Sequence, residues 1–127
     1  TEACFSFISK GETSPAVISL IQDGEGAKAM DEQSTAVFQA IADGRKSPQI
    51  RERPKKPDYD VLAAEIGQLG WSQSDLQLFA NPTALARAAP ERVCQMVQDW
   101  FTAHIAIKDE AVQDRLLYET LRPVIAG

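Results

Sequence analysis

The sequence is short of the side chains that build metal centres and disulfide frameworks. Its 127 residues include one histidine and two cysteines. One imidazole is too few for a histidine-rich metal centre, and two cysteines are too few to suggest a disulfide framework. No apolar run approaches the roughly 18 residues of a membrane-spanning helix, and no signal-like segment opens the sequence. We therefore expect no membrane association and a cytoplasmic location.

Sequence motifs of the common enzyme classes are also missing. There is no glycine-rich phosphate loop, no Cys-x-x-Cys, no His-Glu-x-x-His and no nucleophile elbow. We therefore expect a non-enzymatic protein. The apolar fraction of 44% and the charged fraction of 24% are typical of globular proteins, and the length suits one helical domain over residues 1–127.

Charge is distributed unevenly along the chain. The net charge is −5, yet residues 45–56, here called the basic segment, carry six cations against Glu52. The cations are Arg45, Lys46, Arg51, Arg53, Lys55 and Lys56. Three prolines punctuate the surrounding stretch, so residues 44–57 are predicted to be a solvated connection between helices. The six cations are also the candidate contacts for an acidic partner or for phosphates, without an aromatic side chain for base stacking.

Hydrophobic spacing, capping residues and prolines predict helices along most of the chain. Four main helices are expected, over about residues 30–42, 58–69, 72–88 with a break at Pro82, and 90–108. Shorter helices are expected from Pro15 to Ile21 and from Asp109 to a stop at Pro123. Residues 3–8 are expected to form a strand or an apolar arm, and Gly24 and Gly26 a loop. The predicted fold class is all-α: an antiparallel, up-down four-helix bundle with short extra segments at both termini.

Two short motifs have counterparts in a known family. Residues 31–34 are Asp-Glu-Gln-Ser, followed by Val37-Phe38 and Ile41, and residues 100–105 are Trp-Phe-Thr-Ala-His-Ile, followed by Asp109. The first motif resembles the first helix of hemerythrins and bacteriohemerythrins, where Asp-x-Gln-His precedes a Leu-Phe pair. The second resembles their last helix, where Trp-x-x-x-His-Ile precedes a bridging aspartate. The resemblance spans most of the chain and implies a four-helix bundle of the kind that holds two irons.

The chain departs from that family at most of the iron ligands. Ser34 stands in place of the first-helix histidine, and Leu76 and Ala80 lie near the third-helix pair. The second helix offers carboxylates without a histidine partner: Asp58, Asp60 and Glu65. A di-iron site needs several imidazoles, so we predict no cofactor and keep His104 and Asp109 as residual metal positions only. For His104, a buried ring bonded to a neighbour is favoured over a ligand or a general base.

Three functions remain open. The favoured one is a partner-binding or regulatory module without a complete metal site, whose partner is another protein. The second is a small DNA-associated regulator, with a helix-turn-helix outline at residues 62–81 and a basic arm at 45–56, although Asp75 is the only charge on the second helix. The third is an accessory subunit that packs on a larger protein through Phe5 and Phe7 or through residues 116–121. The oligomeric state is left open.

Overall fold

The computed structural model describes residues 2–10, 14–22 and 24–126, except for the side chains of residues 2, 7, 9 and 124–126. These residues form eight helices and no strand. The helices are α1 (Glu2–Lys10), α2 (Pro15–Gln22), α3 (Gly24–Lys46), α4 (Lys56–Gln68), α5 (Gln73–Phe79), α6 (Pro82–Leu85), α7 (Pro90–Ala106) and α8 (Glu110–Ala126). The predicted all-α class is confirmed, whereas an up-down four-helix bundle is not. The chain divides into two compact units, Thr1–Ile50 and Arg51–Gly127.

The first unit contains α1, α2 and α3, with α2 packed against both of its neighbours. The predicted helix at Pro15 is confirmed. Proline suits the first helical position because the amide it lacks would have no partner there. Ser14, which is buried, precedes it, and its carbonyl accepts hydrogen bonds from the amides of Val17 and Ile18.

Two predictions for this unit are wrong. Residues 3–8 belong to α1 and are neither strand nor arm, because the spacing in such a short apolar run cannot distinguish a strand from a helix. The expected loop at Gly24 and Gly26 is the first turn of α3. A Cβ atom on Gly26 would lie 1.9 Å from the carbonyl oxygen of Leu20. Glycine at this position therefore allows α2 and α3 to approach each other closely.

The second unit has its hydrophobic core between α4, α7 and α8. Eight residues are buried in this core: Leu62, Ile66, Trp71, Met96, Ala103, Ile107, Val112 and Leu116. Half-buried side chains of α5 and α6, among them Leu76 and Phe79, pack against it. Trp71 and Trp100 both contact the Phe79 ring, with centroid separations of 5.2 and 5.0 Å.

An ion pair joins the first and last helices of this unit. Asp58 lies in the first turn of α4, and both of its carboxylate oxygens accept hydrogen bonds from Arg115 of α8, at 2.9 and 2.7 Å. Asp58 also accepts from the backbone amide of Lys55, which completes the start of α4. The Arg115 guanidinium, with help from that amide, lowers the pKa of Asp58 to about 2. The same pairing raises the pKa of Arg115.

Capping residues and prolines set most helix boundaries in this unit. Ser72 and Asp75 form the predicted capping box at the start of α5, and Pro82 and Pro90 begin new helices. The prediction that Pro123 ends the last helix is wrong, because α8 continues to Ala126. Only about one turn of helix follows Pro123, so the proline disrupts few backbone hydrogen bonds. No helix in the described part of the chain is long and apolar enough to cross a membrane.

Candidate functional site

His104 lies inside the second unit, on α7, with no exposed surface. Its Nδ1 is 2.7 Å from the carbonyl oxygen of Trp100, and its Nε2 is 3.1 Å from the hydroxyl of Thr120 on α8. A carbonyl oxygen can only accept a hydrogen bond, so Nδ1 carries the proton and Nε2 accepts from Thr120. Both ring nitrogens of the only histidine are therefore occupied by protein groups.

Burial fixes the charge state of this ring. It lowers the pKa of His104 below the ordinary value of 6.5, and the hydrogen bond to the Trp100 carbonyl opposes this only in part. The ring is therefore neutral near pH 7. A neutral imidazole whose Nδ1 donates to a backbone carbonyl is the form that binds metals through Nε2. Here Thr120 lies at that nitrogen, so coordination would require its hydroxyl to move away.

Asp109 is engaged elsewhere. Its Oδ1 accepts hydrogen bonds from the amides of Ala111 and Val112 at 3.0 and 3.2 Å, so its carboxylate caps the start of α8. Within the described side chains, no group of three or more histidine, cysteine, aspartate or glutamate residues is placed to hold a metal ion. The two residual metal positions thus have separate structural roles, one in the core and one at a helix end.

The other positions of the hemerythrin pattern have equally local roles. Ser34 is an exposed residue of α3 and belongs to the first unit, whereas Leu76, Ala80, His104 and Asp109 belong to the second. Leu76 is half-buried against the core of the second unit, where an apolar side chain is favourable. Ala80 is exposed at the C-terminal cap of α5.

The cations of the basic segment are only partly available to a ligand. Arg51 forms an ion pair with Asp114, Lys55 lies 3.4 Å from Glu52, and Lys56 lies 3.0 Å from Asp60. The other three cations, Arg45, Lys46 and Arg53, have no ion pair among the described residues. All six residues are exposed, but half of the positive charge is already close to a carboxylate.

The predicted helix-turn-helix outline at residues 62–81 is present as two helices, α4 and α5, joined by a short turn in which Gly70 has a φ of 88°. The second helix is unlike a recognition helix. Asp75 accepts hydrogen bonds from Ser72 and pairs with Arg92 of α7, and these contacts lower its pKa to about 2. A carboxylate held in its charged form repels the phosphates that such a helix must approach.

Sequence reasoning missed two features of the structure, an ion pair between distant residues and the exposure of a long helix. One is the Asp58–Arg115 ion pair, for which a sequence separation of 57 residues leaves no local signal. The other is the exposure of α3, a helix of 23 residues that buries none of its side chains. The sequence did contain a signal for the exposure of α3, because this helix has few large apolar residues for its length.

Searches for similar proteins add no assignment. No family model matches the chain, and neither the curated proteins nor the solved structures include a match to it. The resemblance to hemerythrins therefore depends on the two short motifs alone and stays a prediction.

Proposed function

We propose that this chain is a non-enzymatic helical module that binds another protein through one face of α3. The observation that carries the proposal is a row of exposed apolar side chains on that helix. Phe38 is 71% exposed, Val37 50% and Ile41 48%. Met30, two turns earlier, is 40% exposed. Large apolar side chains grouped on one exposed helix face are typical of protein interaction sites.

The chemistry of the second unit supports a binding role over catalysis. Its single histidine is buried and hydrogen-bonded at both nitrogens, and Asp58 and Asp75, whose pKa values are lowered, are held by arginines. Groups that are already satisfied by the protein are poorly suited to accept or deliver protons to a substrate. The nucleic-acid alternative has less support, because the acidic α5 and the partly paired basic segment leave little positive surface.

The test is a photo-reactive residue placed in α3 of the full chain, in the cells that naturally make it. At position 38 we expect a discrete cross-linked protein band after irradiation. The matched control places the same residue at Gln39, which is exposed on the other side of the helix. A band from position 38 alone supports the proposal. No discrete band from position 38, or equal bands from both positions, contradicts it.

The resemblance to hemerythrins is a separate proposal with a different expectation for α3. It implies an up-down bundle of four main helices, which in this chain correspond to α3, α4, α5 with α6, and α7. In that arrangement the apolar side chains of α3 would be covered within one chain, and position 38 would cross-link to another of these helices in the same molecule. Cross-linking in purified protein distinguishes this outcome from binding to a partner.

A further inference from the structure

The apolar face of α3 has the spacing of a coiled-coil seam. Six exposed residues follow one another at intervals of three and four: Ala27, Met30, Ser34, Val37, Ile41 and Gly44. This alternation keeps one narrow stripe facing a partner helix along the whole length of α3. Met30, Val37 and Ile41 are the larger residues of this stripe, and its small residues are Ser34 and those at its two ends. An occupant of this face is therefore expected to be another long helix of matching shape.

The seam is complementary to itself when a second copy runs in the opposite direction. A two-fold axis between Thr35 and Ala36 places two residues opposite each other when their numbers add up to 71, as 35 and 36 do. Met30 then lies opposite Ile41 of the second copy, and Ala27 opposite Gly44. In the two central layers Ser34 lies opposite Val37. The four outer layers therefore match in size, large with large and small with small, whereas the two central layers pair a small side chain with a larger apolar one. We infer that α3 is the docking surface for a second copy of this chain, with the two helices antiparallel.

Charge selects the antiparallel direction over the parallel one. The first half of α3, residues 24–35, carries Glu25, Asp31 and Glu32 against Lys28, which gives −2. The second half, residues 36–46, carries two cations against one carboxylate, which gives +1. An antiparallel pair therefore brings each acidic half beside a basic end, whereas a parallel pair brings the acidic halves together. The helix dipoles favour the same direction.

Phe38 fits this arrangement as a flanking contact. It follows Val37 on the edge of the seam and is the most exposed large apolar residue of α3. In an antiparallel pair, equivalent edges of the two helices face each other. With a rise of 1.5 Å per residue, the two Phe38 positions lie about 7.5 Å apart along the axis, close enough for their rings to cover the centre of the seam. The pairing would thus bury Phe38, the most exposed of the large apolar side chains of α3.

This inference rests on the proposed function and names the partner. Its first test is the mass of the purified full chain, measured by sedimentation equilibrium over a wide concentration range. We expect the mass to rise from the 13.9 kDa of one chain to twice that value. Ile41→Glu places a charge in the seam and is expected to keep the protein monomeric. The matched control, Gln39→Glu, adds the same charge outside the seam and is expected to dimerise like the parent protein.

The antiparallel direction of the two α3 helices is tested with a photo-reactive methionine analogue at position 30, in a mixture of isotope-labelled and unlabelled chains. We expect cross-links between differently labelled chains that join position 30 to the region around Ile41. Cross-links from position 30 to position 30 would overturn the antiparallel pairing. Circular dichroism of both variants checks that helix content is unchanged, and Met30→Glu serves as a second disruptive variant if Ile41→Glu does not fold.

The outcomes separate the two proposals. A monomer at every concentration, together with a cellular cross-link from position 38 to a different protein, overturns the second copy and leaves the proposed function standing. A monomer whose position 38 cross-links to its own chain overturns both. A dimer that Ile41→Glu leaves intact overturns the seam, because the copies would then meet through another surface.

Discussion

His104 is expected to make the second unit sensitive to mild acid. In the unfolded chain the ring takes up a proton near pH 6.5, whereas in the folded protein burial lowers its pKa. Below pH 6.5 the unfolded state therefore binds more protons, and the free energy of unfolding falls as the pH falls. The slope cannot exceed about 1.4 kcal/mol per pH unit for one group. For one group with an unfolded pKa of 6.5, the loss by about pH 5 cannot exceed about 2 kcal/mol.

The carboxylates that stabilise the same unit act in a different pH range. The pKa values of Asp58 and Asp75 are lowered from 3.8 to about 2. Their contribution is fully present above the unfolded pKa and is lost only as the pH falls from there towards about 2. The interval between their range and pH 6.5 therefore isolates the effect of His104. Urea unfolding followed by the fluorescence of Trp71 and Trp100 reports on this unit, because both indoles lie in it.

The variant that tests the origin of this effect is His104→Phe. It keeps a ring in contact with Trp100, whose centroid is 5.0 Å from that of the imidazole, but it cannot titrate. At pH 7 it is expected to lose about 1–2 kcal/mol, because Thr120 loses its acceptor. Between about pH 5 and pH 7 its stability should no longer depend on pH in this way. The reasoning is refuted if parent and variant lose stability equally over that interval.

Three further perturbations test the packing. Met96→Ala removes a fully buried side chain and should cost about 2–5 kcal/mol, seen as a lower urea midpoint; a change below about 1 kcal/mol would contradict its core position. Gly26→Ala should separate α2 from α3, because the new Cβ meets the carbonyl oxygen of Leu20. The separation should raise the rate of amide hydrogen exchange in α2. Gly44→Ala is the control and should leave that rate unchanged, because the space around Gly44 is open. Asp58→Asn should lower the melting temperature at pH 7, because the guanidinium of Arg115 keeps a partly buried charge without a counter-ion. The variant should also lose less stability than the parent as the pH falls below about 4, and equal losses for parent and variant would exclude the ion pair as the cause.

Local chemistry made several boundaries predictable from the sequence. The Ser72 capping box, the new helix at Pro90 and the cap at Asp109 depend on residues within one turn of each other, and all three are present. The loop expected at Gly26 failed because glycine has two roles that a sequence does not separate. It breaks helices through conformational freedom, but here it permits close contact between helices.

Features that depend on distant partners were beyond sequence reasoning. Burial of His104 was the favoured prediction, but its bond to Thr120 of the next helix could not be predicted. Spacing showed that Val37, Phe38 and Ile41 share one side of a helix. A periodic pattern gives the direction of an apolar face and says nothing about what covers it. The structure supplied that missing information by leaving these side chains exposed.

The thin core of the first unit links assembly to folding. Val17 is the only buried hydrophobic residue among its described side chains, and α3 buries none. A helix with so little tertiary support opens readily, so its amide hydrogens should exchange with solvent faster than those of α7. Docking of a second copy would slow this exchange, at the same protein concentration at which the mass doubles. The amount of stable helix in each molecule would then depend on how many copies of the chain are present.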